Sequence, residues 1–335
     1  MPRTLCLALV CLGILSGACT SPQPMEQNTS PAAAPVKSGT IRIEVPADAD
    51  VADIPWLMAI DSLKEQGYSI ETVSLSSDLS AAAMAEGDLD IANLSNQHAW
   101  AAIGQGAPLM TFMDKSASTF MLLAPKAIQT CADLDGRPVA SNGVSTVAGA
   151  LLNAYLEKNC PDAKPQILVV KGGSNRTAAL LSGEVDAAIQ DIDDLIKLEL
   201  DRPGEFQPLV VFAEASPGVQ INSHVTGRQF ADQHPEMVKD FIKAVLAARR
   251  TLQDSEALHE AIIKYVEFEP DRAQQAADTY LEQAVWDASG TYTLETVQTT
   301  LGFLQEYGDL PQELTAEDVA DLSYYDAVLD EMGDQ

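Results

Sequence analysis

Short apolar runs alternate with amphipathic stretches along the chain from residue 41 onward. The runs at 41–45, 68–75, 89–92 and 109–113 have the length and apolar content of strands, and 55–66 and 79–86 carry helical spacing between them. This alternation predicts a parallel sheet covered by helices. An apolar run at 120–125 predicts a strand that crosses into a second unit of the same kind, with strands at 138–140, 167–170, 185–189 and 209–213 and helices at 145–159 and 175–181. A strand at 220–226 returns the chain to the first unit, and helices follow at 235–253, 255–265, 270–284, 293–307 and 316–331. The breakers fall where this reading needs them. Gly143 and Gly149 flank the start of one helix, Gly172 and Gly173 open a turn after a strand, and Pro235 suits the first turn of the helix it begins.

The first forty residues depart from this pattern. Arg3 precedes an apolar run at 5–15, which is too short to span a bilayer, and the run ends in Leu15-Ser16-Gly17-Ala18-Cys19. Those five residues resemble a bacterial lipobox, so residues 1–18 are expected to be a signal peptide and Cys19 to carry a lipid. Residues 19–38 hold Pro22, Pro24, Pro31 and Pro35 among small polar residues and predict a flexible tether with a reach of roughly 25 Å. The expected location is outside the cytoplasm, anchored to a membrane and not spanning it.

Composition narrows the partners. A net charge of −29, spread along the chain, makes nucleic acid and anionic lipid poor partners and reads mostly as solvated surface. After the leader, Cys131 and Cys160 remain besides the anchor. In an oxidising compartment two such thiols predict a disulfide, and a strand followed by a returning helix brings both to the same end of the unit. No CxxC or Cys/His cluster calls for a metal, and no cofactor is expected.

Four segments together resemble one family. They are Asp133-Leu134-Asp135-Gly136-Arg137-Pro138-Val139-Ala140 with Gly143-Val144-Ser145-Thr146 after it; Ala179-Leu180-Leu181-Ser182-Gly183-Glu184-Val185-Asp186-Ala187-Ala188; Met84-Ala85-Glu86-Gly87-Asp88-Leu89-Asp90-Ile91-Ala92; and His234-Pro235-Glu236-Met237-Val238-Lys239-Asp240-Phe241. In this order they resemble the substrate-binding proteins of ABC importers for sulfonates, taurine, nitrate and thiamine precursors. The resemblance implies an α/β fold of the periplasmic-binding-protein type II. Two lobes, each with a mainly parallel sheet flanked by helices, are joined by crossing strands. Residues 39–122 plus 218–335 form lobe 1 with the C-terminal helices, and 123–217 form lobe 2. It further implies a monomer that closes on a small-molecule ligand and delivers it to permease and ATPase subunits. The ligand is either an organic anion, such as a sulfonate or carboxylate, or a vitamin such as riboflavin or a pyrimidine precursor. Enzymes share this fold, but no nucleophile–base spacing or metal motif is present, so no catalytic residue is expected.

In open parallel sheets ligands sit at the carboxyl ends of strands beside helix starts. Four loops qualify. The first, 46–56, holds Asp48, Asp50 and Asp53 and ends at Trp56, a ring able to stack on a flat ligand. The second, 93–98, offers Asn93, Ser95, Asn96 and His98, a dense run of uncharged hydrogen-bonding groups. The third offers Asn142, Ser145 and Thr146, where backbone N–H groups, hydroxyls and Gly143 make an anion seat unless Ser145 caps its own helix. The fourth, 171–175, brings Lys171. Lys115 and Asp191 follow strand ends. Asp191 favours an amino or ring N–H group; together the helix starts and lysines favour a small organic anion, whereas the Asp and Trp residues favour a heterocycle or zwitterion.

Overall fold

The computed structural model describes residues 37–333, apart from 48, 267 and 288–291. Cys19 and the leader it closes lie outside the described residues, as does the tether up to residue 36. Strand β1 (Lys37–Glu44) begins two residues inside the stretch expected to be tether, because Lys37 already pairs with Tyr68.

The first lobe runs β1, α1 (Ile54–Glu65), β2 (Tyr68–Val73), α2 (Ser77–Glu86), β3 (Ile91–Ser95), α3 (Asn96–Gly104) and β4 (Leu109–Asp114). The chain then crosses on β5 (Met121–Pro125) into β6 (Pro138–Ser141), α4 (Val147–Asn159), β7 (Gln166–Val169), α5 (Gly173–Ser182), β8 (Ala187–Gln190), α6 (Ile192–Asp201), β9 (Phe206–Val211) and the single turn α7 (Phe212–Ala215). It returns on β10 (Asn222–Gly227). The helices α8 (Arg228–Gln233), α9 (Pro235–Thr251), α10 (Ser255–Tyr265), α11 (Pro270–Glu282), α12 (Leu294–Tyr307), α13 (Ala316–Val319) and α14 (Ser323–Gly333) complete the described chain.

The two sheets have the same plan. Their orders are β2-β1-β3-β10-β4 and β7-β6-β8-β5-β9. In each, the antiparallel member is the strand that has just crossed from the other lobe: β10 against β3 and β4, β5 against β8 and β9. The remaining strands of each sheet point the same way, so their carboxyl ends gather on one edge. This is the two-lobed α/β architecture expected from the sequence.

Several boundaries differ from the sequence reading. Residues 93–95 are not loop but the end of β3, because Leu94 and Ser95 pair with Ser223 and Asn222 of the returning strand. Residues 96–104 form α3, and 192–201 form α6, neither of which the pattern predicted. Helix α4 starts at Val147, and its cap is Thr146, whose Oγ1 accepts from the N–H of Gly149 at 3.1 Å. A side chain on Gly149 would collide with the carbonyls of Gly143 and Val144, so this glycine lets the 142–146 loop lie flush on the helix.

Cys131, in a 3-10 turn before β6, is bonded to Cys160, directly after α4, with Cα atoms 5.9 Å apart. The strand-up, helix-down geometry places this bond at the end of the unit away from the 142–146 loop. A second hydrophobic core joins residues from both sheets' surroundings: Val51 and Ile54 beside α1, Met121 and Ile192 of the second lobe, and Tyr280 and Trp286 at the end of α11. Helix α11 thus packs on α6 although it follows the return to lobe 1. No helix among the described residues is long and apolar enough to cross a membrane.

Candidate functional site

The gathered strand ends carry an unusual density of buried polar side chains. Glu44 closes β1 at 5 % exposure, and its carboxylate accepts from the N–H of Asn93 at 3.2 Å. Burial pushes its pKa up to about 7, and the nearby charge of Asp53 adds to the rise. After β1 the chain turns through a 3-10 segment, Val51–Asp53, in which the N–H of Asp50 donates to Asp53. Asp53 also accepts from Asn93 Nδ2 at 3.1 Å and from Lys115 Nζ at 2.7 Å. Lys115 follows β4 and reaches Asp50 as well, at 3.3 Å. Burial opposes its charge, but the carboxylates of Asp50 and Asp53 outweigh that and hold its pKa above lysine's ordinary range. Asp53 is pushed up to about 6 by burial and by Asp50, with Lys115 pulling the other way.

The second lobe meets this cluster with the start of α6. Asp191 caps the helix, accepting from the N–H of Asp194 at 3.0 Å. Asp193 accepts from the N–H of Val51 at 3.0 Å and from the Tyr280 hydroxyl at 2.8 Å, which ties the turn after β1 to the second lobe. Asp194 accepts from Thr177. Burial, and then the carboxylates of Asp194, Asp193 and Asp50, push Asp191 well above the ordinary carboxylate range. Asp193 is raised to about 7 by burial and Asp50. Buried Arg176 donates to the carbonyls of Ile189 and Val170 behind these acids. Beside the cluster, a cavity of about 880 Å³ opens between the loop after β1, the start of α5, α6 and the α10–α11 junction, lined in part by Pro46, Ser174, Lys197, Tyr265 and Arg272.

The structure brings Asn93, Lys115 and Asp191 of the sequence-expected set to this meeting point and distributes the others around it. Trp56 is 1 % exposed, donates to the carbonyl of Glu44 at 3.0 Å and packs its ring on His224 and Phe241 inside lobe 1, where no ligand can stack on it. Ser95 stands at the β3–α3 junction, and buried Asn96 donates to the carbonyl of Gln220 at 3.0 Å, fastening α3 to the return strand. His98 lines a separate groove between α2 and α3. Asn142 and Lys171 are exposed. Ser145, also exposed, donates to Asp309 at 2.9 Å on the segment after α12 and leaves capping to Thr146. Glu44 and Asp193 escaped the sequence reading altogether, and Asp50 and Asp53 were seen only as members of a long loop. Among the described residues no group of His, Cys, Asp and Glu side chains is arranged to hold a metal ion.

The pKa directions give a pH dependence. Glu44, Asp53 and Asp193 all bind protons more tightly folded than unfolded, so their contribution is present below their ordinary values of 3.8 to 4.5 and is lost as pH rises through about 6 to 7. The unliganded protein is expected to melt a few degrees higher near pH 5 than near pH 7.5. The difference should persist in roughly 0.5 M salt, which screens surface repulsion but not buried groups. A higher midpoint at pH 7.5 would contradict the burial of these carboxyls.

The family model described as NMT1/THI5 like matches residues 63–254. The taurine-binding periplasmic protein of Escherichia coli (strain K12) is 27 % identical over 190 residues, which is 56 % of this chain and 58 % of that protein. The chain therefore spans less than two thirds of the length of this curated relative. Among solved structures, the alkanesulfonate-binding protein of Xanthomonas axonopodis pv. citri bound to MOPS superposes with a TM-score of 0.64 at 18 % identity, covering 85 % of this chain and 99 % of that one. The periplasmic nitrate-binding protein of Synechocystis PCC 6803 superposes with a TM-score of 0.67 at 11 % identity, covering 88 % and 89 %. At these identities the structures speak for the fold.

Proposed function

Because the chain belongs to the NMT1/THI5-like family, we propose that it is the solute-binding component of an ABC importer, capturing a small organic solute between its lobes and delivering it to a permease served by an ATPase. The observation that carries this reading is the convergence of strand ends from both sheets on one site, bridged by the contact of Val51 with Asp193. A contact of that kind forms on closing and breaks on opening, as hinge motion about two connections requires. Asn93, Lys115 and Asp191 form the floor of the site, with Ser95 and Asn96 at its lobe 1 edge. Asn142, Ser145, Thr146 and Lys171 belong to the lobe 2 rim, where the bond from Ser145 to Asp309 helps hold the closed form. The protein performs no turnover. It acts as a monomer outside the cytoplasm, held to a membrane by the lipid on Cys19. The relatives named for taurine, alkanesulfonate and nitrate support small polar solutes as the cargo.

A melting screen against taurine, alkyl sulfonates, nitrate, pyrimidines and riboflavin tests the reading. A ligand present at a hundred times its Kd stabilises the folded state by about 2.7 kcal/mol. One compound is therefore expected to raise the melting point clearly and to shrink the radius of gyration in solution scattering. No melting shift from any of them, with scattering unchanged by every addition, would refute solute capture by hinge closure.

A further inference from the structure

We propose that the interlobe site grips its solute through a positively charged nitrogen, an ammonium or amidinium group, and not through an acid group. The proposal rests on the solute-binding reading and adds the chemical class of the cargo.

Two independent observations carry it. The first is the balance of charge at the meeting point. Lobe 1 contributes Glu44, Asp50 and Asp53, and lobe 2 contributes Asp191, Asp193 and Asp194. Among the described residues the one ammonium bonded into this set, Lys115, is already paired with Asp53 at 2.7 Å and Asp50 at 3.3 Å. Arg176 donates to backbone carbonyls; its charge acts on Asp194, and that of Lys197 on Asp193 and Asp194, among the lobe 2 acids. Glu44 receives a hydrogen bond from a backbone N–H alone. An incoming sulfonate or carboxylate would have to displace Asp53 from Lys115, whereas a cation meets carboxyls that burial holds toward their protonated form and whose ionisation it would stabilise.

The second observation concerns donors. Asn93 is 7 % exposed, and while its Nδ2 donates to Asp53, its Oδ1 has no hydrogen-bond partner among the described residues. A buried acceptor without a donor is costly to leave unmade. A ligand group bearing N–H or O–H completes it, whereas a sulfonate or carboxylate oxygen is one more acceptor. The carboxylates and the orphaned carbonyl therefore ask for the same thing, a cationic group rich in N–H donors.

Matched probes test the assignment. Taurine is set against isethionate, which replaces the amine by a hydroxyl, and 4-aminobutanoate and putrescine against butanoate. The expected result is that amine-bearing members raise the melting point and their amine-free partners do not. Asp191→Asn should weaken binding of the best amine at least tenfold. Calorimetry near pH 7 in buffers of different ionisation enthalpy should show protons released on binding, as Asp191 and Asp193 ionise opposite the new charge. Binding confined to isethionate or butanoate overturns the proposal and leaves solute capture standing. Absence of binding by every amine overturns it too, and the broader screen with scattering then decides separately whether the lobes close on anything.

Discussion

Replacing Arg249 with leucine is expected to cost about 3–5 kcal/mol of folding stability, the range found when one partner of a buried ion pair is removed. Arg249, on α9, is 0 % exposed. Its guanidinium donates to the Asp114 carboxylate at 3.1 Å, to the Asp114 carbonyl at 2.7 Å and to the Lys115 carbonyl at 2.9 Å. Asp114 is the last residue of β4, just where the chain leaves for the other lobe, and Lys115 is the cleft lysine. Leucine would leave the buried Asp114 carboxylate without its guanidinium partner and would remove the donor that two carbonyls now share. Urea unfolding measures the loss. The double variant Arg249→Leu with Asp114→Leu separates the charge from the clamp: removing both charges should recover most of the stability, because a buried pair contributes little over an apolar one. Ligand affinity should stay low in the double variant, since Lys115 has lost the anchor of its backbone. A loss below about 1 kcal/mol in the single variant would mean that Asp114 finds another partner or water, and the clamp would be disproved.

The contrast between what pattern reveals and what it hides runs through this same region. Strand β5 is a continuous apolar run and β4 is broken only by Thr111 and Asp114, legible because a strand covered on both faces has few polar positions. The return strand β10 was placed by its position in the order of elements, since Asn222, Ser223 and His224 look like a polar segment until β3 and β4 flank them. The same pairing, made by residues more than a hundred positions away, is what turns 93–95 from apparent loop into strand. Helix α3 begins with Asn96, Gln97 and His98 and continues in alanines, so its two faces contrast little in hydropathy. Helix α6 follows β8 with only Asp191 between them, and the acids of its first turn mask its start.

Site residues divide along similar lines. Asn93, Lys115 and Asp191 could be expected to meet because each is a polar residue near the carboxyl end of a strand, where the two sheets face each other. Glu44, Asp50, Asp53 and Asp193 were not, since in a chain of net charge −29 any single carboxylate is read as solvated surface. Burial of an acid depends on what packs over it, and that covering comes from Tyr280 and Val51, far apart in sequence. Trp56 shows the reverse. Its aromatic ring suggested stacking on a ligand, but His224 and Phe241 already occupy its faces.

Opening the Cys131–Cys160 bond is expected to lower folding stability by roughly 3–4 kcal/mol in the chain-entropy model, given its sequence separation of 29 residues. The bond restrains the unfolded chain more than it shapes the folded one. It closes the amino end of β6 on the carboxyl end of α4, while the site-facing loop 142–146 springs from the opposite ends of the same two elements. That loop is held by contacts of its own: Thr146 to Gly143 and Gly149, Ser145 to Asp309, and the flush approach at Gly149. Stability and binding should therefore separate. In the Cys131→Ala, Cys160→Ala protein the urea midpoint should fall and become indifferent to reductant. The midpoint of the parent should move down to meet it when dithiothreitol is added. Affinity for whichever solute the screen identifies should stay within about twofold of the parent under native conditions. A large loss of affinity with little change in stability would show that the bond sets the shape of the 142–146 loop through the length of α4, and that the loop's local contacts are not enough to hold it.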